Sequence, residues 1–214
     1  MAETFPSRVA ENILPLSKVK TLPAAFGEWA WTGVTEDHER PTERCELCEQ
    51  ESLRYHFEIQ NDLTGHTLQV GSKCILRWQM GVIAGGVRLS PSTAKAKIDA
   101  AVKRMQRDAC ERALRAVLAK EPHPVLEGAL DAYLADKALT PKQIQVVFWR
   151  LDEADIEYHA SFFRVDLRKS RRVEDLRAMP DYQRMRVWRA MTSTQRNTAI
   201  GHGVVEPSGW KQSH

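Results

Sequence analysis

Three cysteines constrain this 214-residue chain more than any other feature. Cys45 and Cys48 flank Glu46-Leu47, and Cys74 follows in Val70-Gly71-Ser72-Lys73-Cys74. The two sulfurs of a Cys-x-x-Cys turn sit on one side of a tight loop and converge as metal donors. A thiolate in the first turn of a helix gains from the dipole and from backbone N–H groups, and Ser72 is placed to cap such a helix at Cys74. The stretch between reads as one β-hairpin. Leu53, Tyr55, Phe57 and Ile59 alternate with Arg54, His56, Glu58 and Gln60, the period of a half-buried strand. Asn61 to Gly65 is turn chemistry, and Leu68 and Val70 return. Knuckle, hairpin and helix-borne cysteine together predict a closed, structural, tetrahedral Zn2+ site. The competing readings are three reduced thiols or a redox pair, and Glu46-Leu47 lacks the helix start that a redox motif needs.

The fourth ligand is the least determined part. His56, in the first strand just behind the knuckle, is the leading candidate. His66 at the end of the turn, His38 before the knuckle, and water remain open. The module, residues 26–86, is too small for a core of its own and is expected to depend on the ion.

Elsewhere the pattern predicts an irregular lead-in over residues 1–25 with one short helix, then a strand over 26–34 and a loop over 35–44. Gly81 and the pair Gly85-Gly86 are expected to end the module. From residue 91 to 201 the chain reads as helical. Ile98, Val102, Met105, Ala109, Ala113 and Val117 recur at three- and four-residue steps. Pro122 and Pro124 stop that helix, and Thr140-Pro141 opens another. Thr192 to Gln195 has capping-box spacing, and residues 202–214 form a frayed tail. Cys110 and Trp188 read as core residues. The fold class is therefore α+β, a small zinc-stapled β-hairpin module followed by a mostly α-helical region.

Charge is unevenly spread. Residues 1–90 carry nine Lys and Arg against twelve Asp and Glu, a net of −3. Residues 161–214 carry eleven against five, a net of +6. A basic segment of this kind is the electrostatic footprint of a polyanion-binding region. Its candidate contacts are Arg168, Lys169, Arg171, Arg172, Arg184, Arg186, Arg189 and Arg196, with two short helices in helix-turn-helix outline. No apolar stretch is long enough for a membrane span, and the first residues carry no secretory pattern. The chain is expected in the cytoplasm, where cysteines favour metal over disulfides.

At Cys45-Glu46-Leu47-Cys48, Leu53-Arg54-Tyr55 and Val70-Gly71-Ser72-Lys73-Cys74-Ile75 the sequence resembles uncharacterised bacteriophage and prophage proteins. The match covers about residues 26–78 and is specific for a zinc-ribbon or treble-clef-like module. The resemblance implies an intracellular, phage-associated setting, which here means the host cytoplasm, and says nothing about chemistry.

The expected function is non-catalytic nucleic-acid binding, with DNA favoured. The first alternative is a protein-binding phage factor that inhibits or redirects a host or defence complex through the acidic residues around the knuckle. The second is a metal-dependent nuclease using Asp37-His38. That pair precedes the first cysteines, the wrong order for His-Asn-His-type nucleases, and no phosphate loop or nucleophile elbow is present.

Overall fold

Aromatic side chains near the front of the chain organise a five-stranded sheet. The computed structural model describes residues 5–211, so the start of the expected lead-in and the last residues of the expected tail lie outside the described residues. The strands are β1 (Trp29–Asp37), β2 (Tyr55–Asn61), β3 (Thr67–Val70), β4 (Gly81–Ala84) and β5 (Val87–Arg88), in the spatial order β3-β2-β1-β4-β5. The helices are α1 (Ser7–Ile13), α2 (Ser72–Arg77), α3 (Pro91–Lys120), α4 (Pro124–Leu134), α5 (Pro141–Glu153), α6 (Ser170–Ala178), α7 (Asp181–Ala190) and α8 (Ser193–Gly201).

The expected hairpin is present. β2 and β3 pair antiparallel with Phe57 opposite Val70 and Ile59 opposite Leu68. Its turn is built by Asn61, whose side-chain oxygen accepts from the Leu63 and Thr64 amides at 2.8 and 2.9 Å. Gly65 takes the left-handed conformation that closes the turn.

Three expectations for this region are corrected. The strand expected from residue 26 begins only at Trp29, because a 3-10 turn occupies Ala24–Glu28. It then runs through the expected loop to Asp37, pairing with β2 on either side of a bulge between Trp31 and Thr35. The module also does not end at Gly81. β4 starts there and lies parallel to β1, with Ala30 opposite Gly81. A Cβ at Gly81 would stand 2.9 Å from that of Ala30, so glycine permits the close approach. A four-residue strand paired with residues some fifty positions earlier leaves no local periodicity to read.

The chain forms two compact units, one through Met105 and one from Gln106, and the division falls inside α3. The first unit has a real core. Val9, Ile13, Phe26, Trp29, Phe57, Ile59, Val70 and Ile75 are buried together with Ile98 and Met105 of α3. It is larger than residues 26–86, because α1 and the front of α3 complete it. In the second unit α4 to α8 enclose Leu126, Tyr133, Phe148, Leu151, Phe163, Val187 and Trp188. Cys110 and Trp188 are core residues, as expected from the usual burial of free cysteine and from a helical stripe respectively. Capping boxes open α5 at Thr140 and α8 at Thr192. The described part of the tail is packed and not frayed: Val204 is buried, and Arg196 lies over the Trp210 ring at 4.3 Å.

Candidate metal centre

Cys45 and Cys48 occupy a tight turn between β1 and β2. The Cys45 carbonyl accepts from the Glu49 amide at 2.9 Å, and the Cys45 amide donates to the Gln50 carbonyl at 2.9 Å. Glu49 and Ser52 hold left-handed backbone conformations, φ 62° and 61°, that turn the chain back toward β2. The Glu46 amide donates to the Gln69 carbonyl at 3.0 Å and so fastens the knuckle to β3. Cys74 lies in the first turn of α2 as expected, but Gly71 is the cap residue and the Ser72 side chain caps nothing. The Gly71 backbone is extended at that point, and the Cys74 amide bonds to its carbonyl at 2.9 Å.

These elements bring the three sulfurs together. The Cys45 and Cys74 sulfurs are 3.6 Å apart, those of Cys48 and Cys74 are 3.2 Å apart, and all three lie within 4.8 Å of one another. A tetrahedron with Zn–S bonds of about 2.3 Å has sulfur–sulfur edges of about 3.8 Å. The two measured edges are thus a little shorter than that, and the triad lies close enough to hold a metal ion. A hydrogen bond from Cys74, assisted by the Cys48, Gly71 and Leu47 amides, lowers the Cys45 thiol to about 5. The Cys45 sulfur and burial push Cys74 upward. Three adjacent thiolates repel one another unless a cation sits among them, and a metal ion supplies that cation.

The leading fourth-ligand candidate does not gather with the three sulfurs. His56 is buried, but its Nε2 faces the Arg44 carbonyl at 3.1 Å and its Nδ1 faces His38 Nε2 at 3.1 Å. A carbonyl only accepts, so Nε2 donates to it, while Nδ1 shares a hydrogen bond with His38 Nε2. Both nitrogens are engaged in fixing the approach to the knuckle, and His38 is engaged with them. His66 is exposed and bonds Thr64 at 3.0 Å. Among the described residues, the three cysteines are the only His, Cys, Asp or Glu side chains that gather into such a group. Asp37, the other half of the Asp37-His38 pair, forms a two-pronged bond with Arg54 at 2.7 and 2.9 Å.

The basic residues of the second unit are dispersed in role. Arg168 and Arg172 converge on the buried Asp166 carboxylate. The Arg168 hydrogen bond, with help from Arg172, holds that carboxyl well below the usual range. Arg184 bonds Asp181 at 3.0 Å and the Met179 carbonyl at 3.2 Å. Arg186 and Arg189 both face Asp152, at 3.7 and 3.9 Å, and Arg196 donates to the Trp188 carbonyl at 3.1 Å. Lys169 and Arg171 remain exposed with no carboxylate partner among the described residues, and so does Arg177 in the last turn of α6. The Arg168 and Arg184 pairs are local in sequence, whereas Arg186 and Arg189 reach Asp152 of α5 from α7, so composition alone does not reveal those.

Residues that sequence reasoning passed over also surround the triad. Arg8, Lys73, Arg77 and Trp78 line the cavity onto which all three cysteines open. Lys73, next to Cys74, and Arg77 and Trp78, one helical turn after it, carried a local signal, whereas Arg8 carried none. None of the described helices is long and apolar enough to cross a membrane. Compared with family models, curated proteins and solved structures, the chain matches none.

Proposed function

We propose that Cys45, Cys48 and Cys74 hold a structural zinc ion and that the second unit binds nucleic acid, DNA first, without catalysis. The zinc half is supported by sulfur spacings close to tetrahedral edges. Thiolate donors favour zinc over hard cations such as magnesium or calcium, and three of them suit a structural role. The binding half is carried by one observation. Lys169, Arg171 and Arg177 project from α6 and its approach without carboxylate partners, in the segment where basic residues outnumber acidic ones two to one. Phosphates are neutralised by such unpaired cations, and each contact releases counterions.

Fluorescence anisotropy with a labelled duplex, at salt from about 50 to 200 mM, tests this half. Binding should weaken steeply with salt, and Lys169→Ala with Arg171→Ala should reduce the log–log slope by about 2. Absence of binding at the lowest salt would refute it. A second reading is favoured by the exposed carboxylates Glu36, Glu39, Glu46 and Glu51 around the knuckle. On that reading the first unit docks a basic protein partner in a phage-infected host. Stoichiometric co-purification that survives nuclease treatment would support it.

A further inference from the structure

The metal reading leaves three protein thiolates around an ion whose preferred geometry has four vertices. The three cysteines open onto one shared cavity of about 510 Å³. Its wall carries four cations, of which Arg54 is paired with Asp37 while Arg8, Lys73 and Arg77 have no carboxylate partner among the described residues, and one exposed acid, Glu51. Trp78 also lines it. This indole is only 9% exposed, and its Nε1–H is buried with no hydrogen-bond acceptor. A buried donor without an acceptor is costly. Arg77 stacks on the Trp78 ring at 4.5 Å, so the guanidinium and the indole form one wall. A zinc ion with three thiolates is formally −1. Counting Glu51 as well, and setting aside Arg54, whose charge Asp37 offsets, the cavity still holds one more positive charge than negative.

From these features we infer that the fourth vertex is completed by an oxyanion, a phosphate or a carboxylate, that enters this cavity. One oxygen would ligate the metal, while Trp78 Nε1–H, Arg77, Lys73 and Arg8 would stabilise the remaining oxygens. Oxygen ligands are compatible with zinc, and charge-assisted donors recognise this class of anion. The inference rests on the metal reading above and extends it from a closed staple to an anion-responsive site.

The experiment uses the full-length protein loaded with cobalt(II), whose thiolate charge-transfer band reports the sulfurs and whose ligand-field bands report the fourth ligand. Sodium phosphate and sodium acetate are titrated separately at constant ionic strength, with chloride as the balancing salt. Either oxyanion should shift the ligand-field bands saturably while the charge-transfer band stays in place. Lys73→Gln and Arg77→Gln should each raise the midpoint about fivefold, and Trp78→Phe should raise it without changing cobalt affinity. Ligand-field bands that neither anion moves would overturn the inference and leave the metal site standing. Midpoints unaffected by all three substitutions would also overturn it. Absence of any cysteine-dependent charge-transfer band would overturn the metal reading itself, and this inference with it.

Discussion

The two units solve the same problem, holding a chain of about a hundred residues together, by different means. The first relies on polar constraints inserted into an aromatic core. Glu28 accepts from the Lys18 and Val19 amides at 2.8 and 2.6 Å and from Asn61 at 2.8 Å, while Trp29 donates to Ser17 at 2.8 Å. The knuckle adds two residues with left-handed backbone and three adjoining sulfurs. The second unit uses capped helices over a continuous apolar core, with Arg168, Arg172, Arg184, Arg186 and Arg189 paired to carboxylates. The difference teaches where stability is conditional. On the proposed metal reading, the clustered thiols and left-handed turns of the first unit should depend on a cation, and the apolar core of the second should not.

The strongest way to break this comparison is to remove the metal. Binding at a structural zinc site is worth about 10–16 kcal/mol in small peptides, comparable to the whole stability of a domain, about 5–15 kcal/mol. Cys74→Ser should abolish stoichiometric metal by elemental analysis and strip hydrogen-exchange protection from β1 to β4. Amides in α5 and α7 should stay protected. Equal loss in both units would show that the stability of the second is not independent.

The converse test is Phe148→Ala in the second core, where Phe148 meets Phe163 edge-on at 5.1 Å and Tyr158 at 4.8 Å. The cost should be about 3–5 kcal/mol, read by chemical denaturation, with metal content unchanged. Loss of metal in this variant would sink the distinction between the units.

Acid sharpens the contrast at Asp166. Its folded pKa is depressed, chiefly by Arg168 and then by Arg172. The stabilisation it contributes is therefore complete at neutral pH and is lost as pH falls from about 5 through the ordinary carboxylate value of about 3.9 and below. Melting curves of Asp166→Asn should respond less to acid over that window than those of the parent, although the variant is weaker at pH 7. Parallel curves would show that the arginine pair contributes nothing. The smallest effect is expected at the caps. Thr192→Ala removes the hydroxyl that accepts from the Gln195 amide at 3.2 Å and should cost about 1 kcal/mol.

Much of the local structure was legible from spacing alone. The hairpin alternation from Leu53 to Gln60, the Asn61 turn, the helix start at Thr140-Pro141 and the box from Thr192 to Gln195 depend on residues within a few positions of one another. The helical stripe that placed Trp188 in the core has the same local origin. His56 shows the limit. Alternation put it on the polar face of a strand near the knuckle, but its partners are His38 and the Arg44 carbonyl. Arg186 and Arg189 show it again, since their carboxylate partner, Asp152, belongs to a different helix.

By itself, then, the sequence determined that three thiols would stand at the ends of a hairpin, because knuckle, strand period and helix start are short-range instructions. Only the tertiary structure decided that β4 would join β1 in parallel, that α1 and α3 would complete the first core, and which cations would stay unpaired. Those outcomes depend on which distant groups arrive next to one another when the chain closes, and a side chain's charge or hydrogen-bonding capacity does not say which neighbour will claim it.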